Sequence, residues 1–429
     1  MQDFPFMLLQ NIYTMKLLDQ AFSNTPKLLI FMVLFAGGSI SSTQRTISDA
    51  EVMRVHQQAL TVDTHVDTPM NMLGQGFDVG KRQNSGDVDL VRMKEGGLDA
   101  IFFAAFVGQR PRTPENYREV YKLAHDLIDT TIAQITRYSH LATIALNASD
   151  AEKISKTGKR AVYIALENGF PLEKDISRVA EFYSKGVRYI TLSHSFHNDL
   201  CDSSSDRAPA EHNGLSQFGK EVVEEMNRLG IMVDVSHISD KAFYDVIKVS
   251  KAPIIASHSS VRALARHDRN MTDDMIRALA KNGGVIQLCM LSDYVKNPDT
   301  TTIRYKKEQE LRVIYNERWD SMSDAEKDDW RRKRAEIREQ YPRKLATVSD
   351  FVNHIDYVVN LVGIDYVGIG SDFDGGGGLE DCRDVSEFPR ITREMLIRGY
   401  TQEQINKIWG GNFFRVFREV EAYASTAAK

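Results

Sequence analysis

From about Ser48 onward the chain alternates short apolar runs with longer stretches whose apolar residues recur at helical spacing. Eight runs read as strands: Leu60–Thr64, Ala100–Val107, Ala161–Leu166, Tyr189–Ser193, Met232–Ser236, Ile254–Ser257, Val285–Cys289 and Tyr366–Gly370. Between them lie amphipathic stretches such as Glu115–Thr136, Lys220–Leu229, Asp240–Val249, Asp273–Lys281 and Phe351–Leu361, each long enough to cross back over a sheet. Strand and helix in this alternation predict a parallel sheet, and eight units predict a closed, TIM-like (β/α)8 barrel of the α/β class. The alternative is an open doubly wound sheet. The first run, however, is not followed by the glycine-rich phosphate turn such a sheet often carries there.

Two segments fall outside this rhythm. Asp299–Leu345 is dense in charges of both signs, nearly free of glycine and closed by Pro342, a composition that predicts an exposed helical hairpin inserted between the seventh and eighth strands. Its charge runs read first as a solvated face; the other reading is a lid or a subunit contact, the latter making the protein a homodimer. Leu28–Ala36 is apolar, preceded by Lys27 and followed by Gly37, Gly38 and Ser39. Nine residues fall short of the ~20 that span a bilayer. They fit the hydrophobic core of a secretory signal, a buried helix being the alternative. The expected organisation is therefore a signal and leader over residues 1–45 and one barrel domain over 46–429, exported to the periplasm or the extracellular space.

Composition narrows the classes of function. Over 429 residues, 42% are hydrophobic and 26% charged, which suits a globular chain and argues against disorder. A formal net charge of -5 provides no global basic field, so nucleic acid is not an expected partner. Three cysteines, Cys201, Cys289 and Cys382, are too few and scattered for a disulfide framework or a cysteine zinc site, leaving room for one bridge at most.

The strand ends carry the candidate chemistry. In a parallel barrel these ends converge on one mouth, so a polar residue closing an apolar run is a site candidate. The first run leads into His65 and Asp67, the third into Glu167, the fourth into His194, the fifth into His237, the sixth into His258, the seventh into Tyr294 and the eighth into Asp372. His65 and Asp67, two apart, face the same side of an extended strand and can reach one cation. Taken singly, each histidine reads more simply as structural. Glu167 follows an apolar run, where a carboxylate needs a cation or hydrogen-bond donors. Three histidines and two carboxylates at one mouth exceed the ligand set of a single tetrahedral zinc, which points to two metals sharing Glu167.

These blocks resemble the membrane (renal-type) dipeptidases, zinc peptidases of the amidohydrolase superfamily, from about Asp63 to Val420. The matching blocks are Asp63-Thr-His-Val-Asp67, Leu166-Glu-Asn168, Thr191-Leu-Ser-His-Ser195, Gly214-Leu-Ser-Gln-Phe-Gly219, Asp234-Val-Ser-His-Ile238, Ser257-His-Ser-Ser260, Arg269-Asn270 and Gly370-Ser-Asp-Phe-Asp-Gly375. The resemblance implies one zinc on His65, Asp67 and Glu167 and a second on Glu167, His237 and His258, with no carboxylated lysine. It also implies that His194, Arg269, Tyr294 and Asp372 face the substrate. Two zinc ions sharing a water would lower its pKa toward ~7 and supply hydroxide. His194 would then stabilise the oxyanion, Asp372 would carry the proton to the leaving amine, and Arg269 would clamp the C-terminal carboxylate of a dipeptide. Asp374 is the competing choice for the catalytic carboxylate, and the resemblance favours Asp372. The 299–345 insertion, the Cys201–Asp206 loop and the Gly375–Gly378 run depart from the animal enzymes beside the expected mouth, so side-chain preference is not carried over. The animal enzymes' disulfide pattern is not evident here either.

Two rival classes accompany this reading. One is a binuclear hydrolase of cyclic amides, lactones or β-lactams on the same barrel, since one hydroxide would attack any of them; the other is a non-catalytic binding protein. Retention of every ligand and of Asp372 argues against the second.

Overall fold

The computed structural model describes residues 47–427, except 75, 319 and 320. The leader expected over residues 1–45, with its Leu28–Ala36 run, lies outside the described residues. Among the described residues nine strands form one all-parallel sheet: β1 Val62–Val66, β2 Ala100–Phe106, β3 Ala142–Ile144, β4 Arg160–Glu167, β5 Val187–Thr191, β6 Met232–Asp234, β7 Ile255–Ser259, β8 Val285–Leu288 and β9 Val367–Ile369. Eight of them follow the order β1-β2-β4-β5-β6-β7-β8-β9, a nearly closed barrel. β3 flanks the start of β4, on residues Arg160 to Val162, before β5 begins to pair at Ile164. With three residues of its own, it carries too short an apolar pattern to be read from sequence.

Closure comes beyond the ladder itself. Asp67 N–H donates to Phe373 O at 2.9 Å, and Asp372 N–H donates to His65 O at 3.0 Å. The first and last strands are thus stitched together at the mouth, by the residues that carry the candidate chemistry.

Alternate residues of each strand enter different apolar clusters. Ile101 and Phe103, Val162 and Ile164, and Ile190 pack outward under the helices. Phe102, Tyr163, Tyr189, Met232, Ile255 and Val285 instead join Phe413, Phe414, Phe417 and Val420 of the C-terminal helix Asn412–Ala427. Phe102 stacks on Tyr163 with ring centroids 4.7 Å apart and meets Phe413 edge-on at 5.1 Å. That apolar plug leaves the opposite, C-terminal mouth as the polar end of the barrel.

The crossover helices begin where hydroxyl side chains can cap them. Ser216, Ser239 and Thr272 accept from the backbone N–H of Gly219, Ala242 and Met275, opening helices Gln217–Leu229, Asp240–Val249 and Asp273–Lys281. Between β8 and β9 the chain makes two exposed helices, Ile303–Arg318 and Asp324–Gln340, joined by a bond from Trp330 Nε1 to Leu311 O at 2.8 Å. All three cysteines are buried and free. Among the described residues no helix is long and apolar enough to cross a membrane.

Candidate metal centre and catalytic site

Seven strand ends deliver the site. His65 lies within β1 and Asp67 just beyond it, Glu167 is the last residue of β4, and His258 lies within β7. His194, His237 and Asp372 each follow their strand by three residues, while Arg269 sits on the loop after β7 and Tyr294 on the short helix Ser292–Val295 after β8. The apolar runs predict that the first strand ends at Thr64 and the sixth at Ser257. Pairing instead continues through His65 to Val66 and through His258 to Ser259, so both imidazoles stand on strand backbone.

Glu167 is the hub. Its Oε2 lies 3.4 Å from His65 Nε2, which is 4.0 Å from Asp67 Oδ2. Its Oε1 lies 3.1 Å from His237 Nε2, 3.5 Å from His258 Nε2 and 3.8 Å from His194 Nε2. His237 and His258 bring their Nε2 atoms within 2.8 Å of each other. The ligating atoms of His65, Asp67 and Glu167 form one compact group, those of Glu167, His194 and His237 a second, and those of His65, His258 and Asp372 a third.

Electrostatics show what this cluster lacks. Burial and the charge of Glu167 raise the Asp67 carboxyl well above its usual range. Burial would also raise Glu167, but the imidazoles of His65 and His237 outweigh it and hold its carboxyl well below that range. Burial would depress His65, yet the adjacent Glu167, with Asp67 and Asp372 behind it, carries its pKa up to about 10. His194 is depressed to about 4, mainly by burial. His237 and His258 are held well below the imidazole range by burial, with the charges of Arg269 and of His65, respectively, adding to it. Asp372 is pushed up to about 7, first by burial and then, against the pull of His65, by Glu167. Three buried carboxylates therefore compete for positive charge. His65 Nε2 and Asp67 Oδ1 are buried with no hydrogen-bond partner. Imidazole and carboxylate donors left open in this way fit a bound divalent cation.

A cavity of about 460 Å³ opens above the cluster, lined by Asp67, Glu167, His194, His237, Arg269, Tyr294 and Asp372 together with apolar neighbours such as Met70, Phe106 and Leu291. Arg269 lines it, donating from Nη2 to His258 O at 3.1 Å, with its buried Nε–H unpartnered. Its guanidinium carbon sits 5.4 Å from the centre of the Tyr294 ring. Asp374 is differently placed: its oxygens accept from Thr68 Oγ1 at 2.6 Å and from Asp87 N–H at 2.7 Å, so its carboxylate is already committed to holding a loop.

Several supporting residues escape a reading of the sequence. Asp63 accepts from Ser371 N–H at 2.8 Å and from Ser371 Oγ at 2.5 Å, tying β1 to the segment after β9. Asp234 accepts from Thr191 Oγ1 at 2.5 Å and from Ser257 N–H and Oγ at 2.8 and 2.6 Å, joining β5, β6 and β7. His237, Asp372 and Asp374 hold left-handed backbone at φ 71°, 62° and 66°, a conformation costly for residues with a Cβ and found where structure around a site enforces it. Gly375 packs so closely that a Cβ there would lie 2.0 Å from Asp67 Oδ2 and 2.4 Å from Asp372 Oδ1.

Comparison with known proteins now bears on this geometry. A family model described as membrane dipeptidase, peptidase family M19, matches residues 49–429. The chain is 33% identical over 350 residues to dipeptidase tcpJ of Claviceps purpurea, covering 80% of this chain and 71% of that one. It is 29% identical over 388 residues to dipeptidase 3 of Mus musculus, covering 86% and 67% of the two chains. Among solved structures, the probable dipeptidase PvdM from Pseudomonas aeruginosa superposes with a TM-score of 0.80 at 30% identity, covering 87% of this chain and 98% of that one.

Proposed function

The chain belongs to the membrane dipeptidases, peptidase family M19, and on that premise we propose that it hydrolyses dipeptides bearing a free C-terminal carboxylate with the help of two zinc ions. His65, Asp67 and Glu167 would hold one ion, and Glu167, His237 and His258 the other. The observation that carries this reading is the Glu167 carboxylate, whose Oε2 faces His65 and whose Oε1 faces His237 and His258, one oxygen for each ligand set. When bound, such a pair of cations supplies a water acidified toward neutrality and an electrophilic pull on the scissile carbonyl.

The protein's own groups do the rest. His194, neutral at pH 7 because burial depresses it, keeps Nδ1 against Ser195 Oγ at 2.9 Å. With that hydroxyl donating to Nδ1, the Nε2–H is directed into the site, where it donates to the oxygen that gains charge as the carbonyl is attacked. Asp372, whose carboxylate stands with His65 and His258, takes the proton of the attacking water and returns it to the leaving nitrogen. Arg269 pairs with the substrate carboxylate through donors its own bonds leave free, and Tyr294 flanks that guanidinium.

The clamp supplies the test. Amidating a dipeptide removes a charge-assisted bond of roughly 1.5–3 kcal/mol, so wild-type kcat/KM falls about tenfold to a hundredfold. In Arg269→Met the same amidation changes little. Equal sensitivity in both proteins would refute the clamp and move the reading toward a hydrolase of cyclic amides. The proposal also places the working enzyme outside the cytoplasm, from the Leu28–Ala36 run. Amino-terminal sequencing should find a mature chain that begins beyond Ala36, and a mature chain retaining that run would overturn export. We expect a homodimer, which light scattering at the monomer mass would exclude.

A further inference from the structure

We infer that the buried hydroxyls of Tyr189 and Ser257 are positioning residues that fix the tautomers of His65 and His258, presenting both Nε2 lone pairs to metal. The inference rests on the metal-site reading above and concerns how the protein prepares those ligands.

Hydrogen-bond direction decides the matter. Tyr189 Oη lies 3.0 Å from Thr64 O and 2.7 Å from His65 Nδ1. A carbonyl oxygen only accepts, so the single phenolic proton is committed to Thr64. The Tyr189 oxygen must then accept from His65 Nδ1, so that in the neutral, metal-binding form of the ring the one imidazole proton sits on Nδ1 and Nε2, facing Glu167 and Asp67, is the bare nitrogen. Ser257 repeats the logic on the other side. Its Oγ lies 2.6 Å from Asp234 Oδ2 and 2.8 Å from His258 Nδ1. Asp234 also accepts from Thr191 Oγ1, Ser236 N–H and Ser257 N–H, so its oxygens act as acceptors throughout this network. The serine proton is thereby drawn to Asp234, and Oγ accepts from His258 Nδ1. Tyr189, Ser257 and Asp234 are all fully buried, so no solvent competes for these bonds. Partners of this kind orient a ligating histidine and fix which nitrogen is bare. His237 has no such partner among the described residues, since its buried Nδ1 is unpaired. The protein therefore prepares one histidine of each ligand set.

The test uses full-length protein with Tyr189→Phe and Ser257→Ala, each removing one hydroxyl. Zinc affinity, read by competition with a chromogenic chelator, should fall about tenfold to a hundredfold in each variant, the scale for losing such a partner. The Tyr189 and Ser257 hydroxyls also lie within hydrogen-bonding reach of each other, so in zinc-loaded protein the Nδ1–H resonance of His65 should move upfield most in Tyr189→Phe and that of His258 most in Ser257→Ala. A purely structural hydroxyl would lower melting temperature without this selective pattern. Wild-type zinc affinity and unmoved Nδ1–H resonances in both variants would overturn the inference alone. Failure of the wild-type protein to bind zinc would overturn the metal-site reading and this inference with it.

Discussion

The close approach of Gly375 to two site carboxylates makes Gly375→Ala a sharp perturbation. The alanine Cβ would stand 2.0 Å from Asp67 Oδ2 and 2.4 Å from Asp372 Oδ1, whereas real Cβ contacts essentially never fall below 3.0 Å. Either the loop or the Asp67 carboxylate must therefore retreat by about 1 Å, the displacement at which reacting groups lose about a hundredfold in rate. The backbone at 375 is not left-handed, so alanine adds no conformational strain of its own and the clash is isolated. We expect kcat/KM on a dipeptide to fall about a hundredfold, equivalent to about 2.7 kcal/mol of transition-state stabilisation, with weaker zinc binding because Asp67 is a proposed ligand. Steady-state kinetics and chelator competition measure both quantities, and circular dichroism checks that the barrel is retained. A folded variant with wild-type kcat/KM and wild-type zinc affinity would refute the claim that Asp67 and Asp372 must hold their observed places.

Glu167→Gln should reduce bound zinc from two ions per chain to one or fewer, measured by elemental analysis, because one carboxylate serves both ligand sets. Asp372→Asn should keep its metals while kcat falls on the ~10²–10⁴ scale of a lost general acid/base; near-normal turnover would remove Asp372 from the mechanism. Far from the site, His56 is buried between Thr392 Oγ1 at 2.7 Å and Gly96 O at 2.9 Å, and burial depresses it to about 4 from 6.5. The unfolded chain thus binds a proton at His56 below pH 6.5 that the folded chain refuses until about pH 4, so stability is lost as pH falls through that window. The stability advantage of wild type over His56→Gln should shrink by about 2 kcal/mol between pH 7.5 and pH 5 in urea unfolding, and a constant gap would contradict this.

Much of the architecture was legible because each strand is a compact apolar run closed by a polar residue. Asp240–Val249 and Asp273–Lys281 were readable to the residue from their helical spacing. What stayed hidden depends on partners far away in the chain. Asp63 earns its place through Ser371, 308 residues on, and Asp234 through Thr191 and Ser257 on neighbouring strands. Nothing local marks Tyr189 as other than a core aromatic, since its hydroxyl gains meaning only by reaching Thr64 and His65 on β1, a strand not adjacent to its own. Spacing alone does not choose between Asp372 and Asp374, and only the resemblance favours Asp372 in the sequence. Two residues apart on one loop, they are told apart by Thr68 and the Asp87 backbone, which occupy the second carboxylate and leave the first at the cluster. The C-terminal helix that plugs the barrel floor, and the brief β3, carried patterns too short or too ambiguous to place.

The central claim is that a pair of metal ions, bridged by Glu167, makes this barrel a dipeptidase. The most direct measurement is a zinc titration of chelator-stripped protein, following bound metal and dipeptide hydrolysis together. The account predicts no activity without metal, two ions bound per chain at saturation, and full activity only as the second site fills. Undiminished hydrolysis by metal-free protein, or binding that saturates at one ion with full activity, would contradict it.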